Sequence, residues 1–589
     1  MSFLEQIFLW AVRHGNTLQF GLIWITVTVA AATCVGLAVG RAAFPIGQNA
    51  TRHSRDLALT RQQVLAPSVV AMLTLLVVFV VSYVVLILAW EDFAYYDDSV
   101  FTLNTLKGHN IQLWILPESG RFMPLAFQEF NLARHFTDTS AGYHVLPIVQ
   151  LLIVSGILLF LDQEISLTAR SALVIFALLT PSILVSFISF LFSERNVLLF
   201  LACLAFSIRR FEQSQSLASA LSAVICAQLM IYFKETAFLL LLGFAASRLV
   251  LRCQYPHVEF GRLWIRESRL DLGLAFLAVL FVIFYFGVMG IHGNMNYAAS
   301  ARLPRADVML SYTTVDLLPW LLLAGLLGRI YMILRHRVAP LLLWDGLAAG
   351  GAVYFIAYVY LGMFSIYYTA PVDLIAVLYV GRFAVLSWKK MLWWGKVVAI
   401  PLAVVIMAQD ILVSSFSVFE RKNVIHANAE LASVVENEYR RGTGTDLRLF
   451  FPFGGGEEIM EFGAYLSYRG VPVEGAADPA AGLHSVVLNR RRIREDGPCV
   501  EWRRIMCRRV SGPAPGDLVI VLPDDEASLA EASVYRERGG TLLLSYKPRP
   551  HLPQWLYSLF DDLPIGAESR YRDDALPDRW LDASVTKWK

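Results

Sequence analysis

Charged residues are scarce in this sequence: Asp, Glu, Lys and Arg make up 17% of the 589 residues, against about a quarter in an ordinary soluble domain. The formal net charge is only +2, which argues against a nucleic-acid partner. Hydrophobic residues make up 56% of the chain and are concentrated in long runs between short polar loops. Because about 20 apolar residues cross the hydrocarbon core, the bilayer is the expected solvent for most of the chain.

Cysteines and metal-binding motifs are also scarce. Four of the six cysteines, Cys34, Cys203, Cys226 and Cys253, lie in or beside apolar runs, as small core residues do. Cys499 and Cys507 lie near each other, and would be able to form a disulfide if their region is outside the cytoplasm. The histidines are scattered, and no paired CxxC or HExxH motif indicates zinc. No cleavage-site pattern follows the first apolar run, near Leu18, so a removable signal peptide is not expected.

Hydropathy predicts about twelve transmembrane helices. They lie near residues 18–40, 67–90, 143–161, 171–192, 196–208, 215–233, 236–252, 272–291, 316–334, 340–361, 370–388 and 392–414.

The loops between these spans fall into two alternating sets, one rich in Arg and Lys and one poor in them. The basic set contains Arg41, Arg52, Arg55, Arg61, Arg209, Arg210, Arg248, Arg252, Arg262, Arg266, Arg269, Arg335, Arg337, Lys389, Lys390 and Lys396. Basic loops stay in the cytoplasm. The sequence therefore predicts a bacterial inner-membrane protein whose outer loops include 91–142, 193–195, 234–235, 292–315 and 364–369.

The last 175 residues have a different pattern from the transmembrane domain predicted at 1–414. In the region 415–589, strand-like stretches such as LRLFFPF, GDLVIVLP and TLLLSY alternate with helix-like stretches such as EEIMEFGAYLSYRG and EASLAEASVYRERGG. This alternation predicts a small α/β domain. Because it follows the last span, the domain is expected in the periplasm.

The outer loop 91–142 carries the acidic residues Glu91, Asp92, Asp97, Asp98 and Glu118. Carboxylates crowded at a membrane edge repel one another, so at least one of their pKa values should rise. Such a carboxylate is able to act as a general base on a hydroxyl, or to bind a metal. The alternative is a solvated interfacial turn with Tyr95 and Tyr96 in an aromatic belt.

Cations are rare on the predicted outer side, which makes the few that occur there candidates for function. Arg121, Arg195 and Lys234 would suit an anionic phosphate. The structural alternative is that Arg195 and Lys234 are end-caps paired with Glu194 and Glu235. The same alternative is favoured for Arg302 and Arg305.

Two further motifs favour structural interpretations. Tyr367 and Tyr368, at a predicted outer interface, would be able to stack on a sugar or lipid but are typical of an aromatic belt. The FGGGEE stretch is not followed by GK[ST], and Glu457 and Glu458 would place negative charge at a helix N-terminus. It therefore does not predict a phosphate-binding loop.

The membrane part resembles the GT-C superfamily of polytopic glycosyltransferases, and is most similar to bacterial enzymes that decorate envelope polymers. The residues that carry the resemblance are Asp97-Asp98 in YYDDS, Trp114, Gly120-Arg121, Glu194-Arg195, Lys234-Glu235, Tyr367, Tyr368 and Pro371. The region from about Ser415 resembles no family.

The resemblance implies transfer of one sugar, with inversion, from a polyprenyl-phosphate donor in the bilayer to a hydroxyl of an envelope glycan, lipid or protein. Asp97 or Asp98 would be the general base, and Arg121, Arg195 and Lys234 would bind the leaving phosphate. Glu91, Asp92 and Glu118 are candidates for a second acid. A divalent metal (Mg, Mn or Ca) near these acids is left open.

Two other functions remain alternatives. An O-antigen polymerase or ligase would use a lipid-pyrophosphate oligosaccharide and depend on arginines rather than on an aspartate pair. A transporter would carry ionisable residues near mid-span and have matched halves. The predicted ionisable residues lie at span ends, and no internal repeat is evident, so the transporter is the least favoured.

Overall fold

The computed structural model describes most of the predicted membrane part and separate segments of the C-terminal region. The described residues are 67–89, 92–94, 102–103, 105–106, 108, 110–116, 121–189, 191–253, 262–289, 303–441, 449–451, 456–471, 486–489, 507–510, 515–516, 518–522, 540–546 and 583–587. The span predicted at 18–40 and the helix predicted at EASLAEASVYRERGG lie outside them.

Helices dominate the described residues, and most coincide with a predicted apolar span. The helices are α1 (Pro67–Leu88), α2 (Gln128–Ala133), α3 (Ser140–Leu161), α4 (Leu167–Leu179), α5 (Pro181–Ile188), α6 (Glu194–Ser214), α7 (Leu217–Phe233), α8 (Ala237–Cys253), α9 (Arg262–Glu267), α10 (Arg269–Met289), α11 (Arg305–Val315), α12 (Leu318–Leu334), α13 (Leu342–Leu361), α14 (Ala370–Ser387), α15 (Trp393–Arg441) and α16 (Gly456–Tyr468), with a 3₁₀ turn at Ile366–Thr369.

Five of the described helical segments are long and apolar enough to cross a membrane, or seven if each of two bent pairs is one span. The five are Pro67–Leu88, Ser140–Leu161, Leu342–Leu361, Ile366–Ser387 and Gly395–Arg441. The exposed faces of α1 and α15 carry Val and Leu side chains, which suits contact with lipid. The chain is therefore consistent with a membrane protein, and the number twelve stays a prediction.

The single span predicted at 171–192 is two helices, α4 and α5, which meet at a bend of 70°. Thr180, between them, has an extended backbone (φ −64°, ψ 137°), and Pro181 begins α5. A residue before proline avoids the helical region, and proline cannot donate the backbone hydrogen bond that would continue a helix. The break therefore follows from the Thr-Pro step.

The segment predicted as an outer loop at 292–315 contains helix α11, which meets α12 at a bend of 98°. Asp316 lies at the break with an extended backbone (φ −154°, ψ 111°), and its Oδ1 accepts the N–H of Leu318 at 2.9 Å. The carboxylate thus caps α12 as aspartate does at many helix N-termini. The predicted span 316–334 coincides with α12, and helix α11 was not predicted.

The last predicted span, 392–414, coincides with the first part of helix α15. Helix α15 continues to Arg441, because residues 415–441 contain no glycine or proline to interrupt it. Gly442 follows the last helical residue.

Contacts divide the chain into two compact units. The first contains Met1–Ile87, Gln112–Glu129 and Val145–Ser414, and the second contains Leu88–Ile111, Phe130–His144 and Ser415–Lys589. The first unit includes a short antiparallel hairpin of β1 (Trp114–Leu116) and β2 (Arg121–Met123).

The second unit contains a six-stranded sheet of β3 (Leu449–Phe451), β4 (Val486–Asn489), β5 (Cys507–Val510), β6 (Leu518–Val521), β7 (Thr541–Tyr546) and β8 (Ala583–Lys587). The strand order is β5-β4-β3-β6-β8-β7. The first four strands are parallel, and β8 is antiparallel to both β6 and β7. Helix α16 follows β3, so the strands predicted at LRLFFPF, GDLVIVLP and TLLLSY and the first predicted helix are present.

Helices α8 and α13 of the first unit approach closely at Gly350. A Cβ atom on Gly350 would lie 2.6 Å from the carbonyl oxygen of Leu240. Gly346, one turn earlier, lies against Arg248, and Gly243 faces Gly350. Small residues at this spacing let helix backbones approach closely within a membrane.

We expect Gly350→Ala to weaken the packing of α8 on α13, by about 1–3 kcal/mol, because a backbone oxygen cannot move aside for the added methyl group. Gly328→Ala is the matched control, since nothing lies within 4 Å of a Cβ atom at that helical position. Thermal unfolding of the purified protein in detergent measures both. Equal melting temperatures for the two variants would contradict the close approach.

Candidate functional site

Charged residues from three separate segments meet at helix ends that the sequence predicts to be on the outer side. Lys234 Nζ lies 2.8 Å from Glu194 Oε1, and Arg121 Nη1 lies 2.7 Å from Glu235 Oε1. The pairs are crossed: neither Lys234 nor Arg195 pairs with the acid beside it in the sequence. Consecutive side chains at a helix end point in different directions, so each finds its partner on another segment.

Lys234 is the centre of this arrangement. It follows the last residue of α7 with an extended backbone (φ −150°, ψ 121°), and its side chain is 7% exposed. The ammonium also lies 5.1 Å from the centre of the Tyr368 ring, within range of a cation–π interaction. Burial by itself lowers the pKa of Lys234, but the Glu194 carboxylate more than offsets this, so the pKa is raised and the ammonium stays charged.

Arg121 reaches the site from the hairpin of β1 and β2. In that hairpin Arg121 is opposite Leu116, and the Trp114 and Phe127 rings pack edge to face at 5.2 Å. The N–H of Leu125 donates to the carbonyl of Tyr232 at 3.2 Å, which ties the segment after β2 to the end of α7. This part of the outer loop is therefore folded against the helix that carries Lys234.

Arg195 is enclosed in a polar network and is fully buried. Its Nε donates to Gln150 Oε1 at 2.9 Å, and its Nη2 donates to Glu129 Oε1 at 2.8 Å. Asn196 donates to the same Glu129 oxygen at 2.8 Å. These contacts tie the start of α6 to α2 and α3. Arg195 thus holds the start of α6, which includes Glu194, in place. Its charge is not exposed at a surface.

Aromatic rings and hydroxyl groups line the other side of Lys234. The Tyr367 ring stacks on Phe192 at 3.9 Å, and the Tyr368 ring stacks on Tyr358 at 4.8 Å. Thr236 Oγ1 lies 2.9 Å from the Tyr358 hydroxyl. Tyr367 and Tyr368 therefore belong to the packed surroundings of the ion pairs, and the 3₁₀ turn at Ile366–Thr369 holds them there.

The predicted general bases cannot be placed. Asp97 and Asp98 lie outside the described residues, as do Glu91, Glu118, Arg302 and Cys499. Strand β5 includes the backbone of Cys507, but the predicted disulfide with Cys499 stays a prediction. Arg305 is exposed; its guanidinium lies 4.4 Å from the centre of the Tyr360 ring, and its Nε donates to the Tyr360 carbonyl. That agrees with its interpretation as an end-cap.

Asp92 lies in the second unit, where the Tyr465 hydroxyl donates to its Oδ2 at 2.8 Å and the Phe93 N–H donates to its Oδ1 at 2.7 Å. Burial raises the pKa of Asp92, and these two hydrogen bonds only partly offset the effect. Phe93 itself packs edge to face against Tyr143 and Tyr468. Asp92 is thus a semi-buried carboxyl held by α16.

Sequence reasoning missed three buried acids in the first unit: Asp316, Asp373 and Asp410. Each is a single acidic residue in an apolar stretch, in VDLLP, PVDLI and AQDIL. A single carboxylate in a predicted span is itself a signal of function. The sequence alone would therefore have been sufficient to identify these three residues as candidates. They are related to the Lys234 site through Thr369, whose hydroxyl lies 3.4 Å from Asp316 Oδ2.

At the opposite ends of these helices, three further ion pairs each contain an arginine and an aspartate. Arg248 Nε donates to Asp271 at 2.6 Å, Arg382 Nε to Asp162 at 2.8 Å, and Arg329 Nε to Asp345 at 3.0 Å. All three carboxylates are buried. Because both partners are charged and bonded, these pairs are structural.

In the described part of the chain, no group of three or more His, Cys, Asp or Glu residues is arranged to hold a metal ion. Asp97 and Asp98 are not among the residues searched. The sequence matches no protein-family model and no curated protein. The chemistry of the site is therefore argued from its own residues.

Chemically, the site offers fixed positive charge beside aromatic rings. Lys234 Nζ lies 2.8 Å from Glu194 Oε1, and an ammonium has three N–H donors. Contact with one carboxylate oxygen therefore does not use all the donors of Lys234. The tyrosines beside it, Tyr358 and Tyr368, are buried and stack on each other.

We expect Lys234→Met to destabilise the protein by about 3–5 kcal/mol, because it leaves Glu194 charged and buried without a partner. Adding Glu194→Gln should restore most of that loss. The matched control is Lys234→Met with Glu235→Gln, which should not restore it, since Glu235 pairs with Arg121. Melting temperatures in detergent measure the series. Rescue by Glu235→Gln instead of Glu194→Gln would show that the pairs are not crossed.

The raised pKa of Asp92 predicts a pH effect confined to the second unit. A carboxyl whose pKa is higher in the folded state stabilises that state at low pH, and this stabilisation is lost as the pH rises through the folded-state pKa. Helix α16 should therefore exchange its amide hydrogens more slowly, after correction for intrinsic rates, as the pH falls from 7 toward 4.

Asp92→Asn should abolish that pH dependence, because an amide does not titrate and still accepts from Tyr465. Asp138→Asn, at an exposed position of the same unit, should leave it intact. Hydrogen–deuterium exchange of residues 456–471 distinguishes the two variants. A pH dependence that survives in Asp92→Asn would assign the effect to another group.

Proposed function

We propose that this chain is a membrane glycosyltransferase of the GT-C type. It transfers one sugar from a polyprenyl-phosphate donor to a hydroxyl of an envelope glycan, lipid or protein on the periplasmic side of the inner membrane. The observation that carries the proposal is Lys234, a buried ammonium held between the Glu194 carboxylate and the Tyr368 ring, at helix ends predicted to be outside.

The leaving group of this reaction sets the electrostatic requirement. When the bond between the anomeric carbon and the phosphate oxygen breaks, the lipid phosphate takes the electron pair and gains negative charge. Preorganised cations are the most effective stabilisers of such charge. In the proposed site, Lys234 and Arg121 contact the phosphate, and Arg195 holds the start of α6 in position.

The acceptor hydroxyl requires a base. Asp97 or Asp98 takes its proton as the oxygen attacks the anomeric carbon from the face opposite the phosphate, which inverts the configuration. Glu194 and Glu235 already contact Lys234 and Arg121, so the proposal assigns the base to an aspartate instead. A divalent metal beside Asp97 and Asp98 remains compatible with the proposal, and no step depends on one.

The test compares envelope glycans and glycosylated proteins from cells with and without the gene, by mass spectrometry, for the loss of one hexose or pentose. We expect Asp97→Asn or Asp98→Asn to abolish the transfer in a protein that still folds. Lys234→Met/Glu194→Gln should lower the transfer at least about a hundredfold, since it removes a fixed charge from the transition state. Arg305→Ala, an exposed cation at the same predicted side, is the control and should retain full transfer.

Full transfer by both aspartate variants would exclude the proposed base. Loss of activity in Arg121 or Arg195 variants, with both aspartates dispensable, would instead support a polymerase or ligase that uses a lipid-pyrophosphate donor. Substrate flux in vesicles with no covalent product would support a transporter.

A further inference from the structure

Three carboxyl groups from different elements of the first unit converge in a region without exposed surface. Asp316 lies at the break between α11 and α12, Asp373 in the first turn of α14, and Asp410 in α15. Their residues are 3%, 0% and 0% exposed, respectively. Asp410 lies within α15, next to Gln409, whose Nε2 donates at 2.6 Å to the Thr314 carbonyl, near Asp316.

The contacts differ among the three acids. Asp316 Oδ1 accepts the Leu318 N–H at 2.9 Å, and its Oδ2 lies 3.4 Å from the Thr369 hydroxyl. Asp373 Oδ2 accepts a hydrogen bond from the hydroxyl of Ser182 in α5, and Thr369, whose hydroxyl approaches Asp316, directly precedes α14, the helix of Asp373.

Asp410 is the unusual member. Neither of its carboxyl oxygens, nor Oδ1 of Asp373, has a hydrogen-bond donor among the described residues. No Lys or Arg of the described chain forms an ion pair with any of the three acids, whereas Asp271, Asp162 and Asp345 at the other helix ends each have an arginine.

Three ionised carboxylates in this position would be strongly unfavourable. An ionised carboxylate away from water costs several kcal/mol unless it is paired, and two carboxyl groups in contact are stable only when a proton or a cation lies between them. A divalent cation needs several converging oxygen ligands, and these acids are not arranged as such a group. A proton needs only one acceptor.

We propose that Asp316, Asp373 and Asp410 form a buried proton-binding site that carries one negative charge. Asp316 is the ionised member, because it accepts from the Leu318 N–H and from the Thr369 hydroxyl. Asp373 and Asp410 are protonated. The site stands independently of the proposed glycosyl transfer.

Few other polar groups face this site in the described chain. They are the hydroxyls of Ser182 on α5, Thr369 on the 3₁₀ turn and Tyr312 on α11, the last of which donates to the Met363 carbonyl at 3.2 Å. All are neutral at physiological pH, so the charge of the site is set by its own three carboxyls.

Infrared difference spectroscopy on the purified protein in lipid tests the proposal, since a protonated buried carboxyl has a C=O band that a carboxylate lacks. We expect Asp373→Asn and Asp410→Asn each to remove part of this band at neutral pH. Asp345→Asn is the matched control: Asp345 is equally buried but bonded to Arg329 and Tyr379, and its replacement should leave the band unchanged.

An unchanged band in both Asp373→Asn and Asp410→Asn would overturn the proposal. So would a band that disappears from the unmodified protein on addition of Na⁺, Mg²⁺ or Ca²⁺, because that result would identify a cation site. Size-exclusion elution checks that each variant is folded, and either aspartate variant is sufficient for the test. Sugar transfer is not measured, so failure of the glycosyltransferase proposal cannot produce any of these outcomes.

Discussion

The cost of burying charge is the constraint on which the first unit depends. An ammonium or guanidinium away from water is tolerated only in contact with a carboxylate. Lys234, Arg121 and Arg195 each meet this condition with an acid from another segment. Three sequence-distant segments are consequently held together at one end of the helices, and the loop after α1 is tied to them through Arg121.

That constraint also changes how cations in such a protein should be interpreted. The sequence shows Glu194 beside Arg195 and Lys234 beside Glu235, and the simplest structural interpretation pairs each acid with its neighbour. The observed pairs are crossed, so the same residues that neutralise one another also join α6, α7 and the β hairpin. A cation with a structural role in this network, such as Lys234, still contributes a fixed positive electrostatic potential to any group that binds beside it.

Much of the helical framework could be predicted from hydropathy, because an apolar run of sufficient length is a strong signal on its own. Helices α7 and α13 begin and end within about two residues of their predicted spans. The bends at Thr180 and Asp316 were missed, since a window average ignores single residues that break a helix. Helix α15 continues beyond the predicted span, because a fall in hydropathy does not by itself end a helix.

The candidate site could be predicted only in part, for a related reason. Arg121, Lys234, Glu194, Glu235, Tyr367 and Tyr368 stand out because ionisable and aromatic residues at span ends are conspicuous. Their partners depend on which helix ends are neighbours, and the sequence does not specify that. Asp316, Asp373 and Asp410 are inconspicuous singly, and their meaning comes only from convergence in three dimensions.

The turn at Ile366–Thr369 relates the two polar clusters. Tyr368 packs against the Lys234 ammonium, while the next residue, Thr369, approaches Asp316. Two adjacent residues of this turn therefore contact the two sites, although no ion pair joins the sites among the described residues.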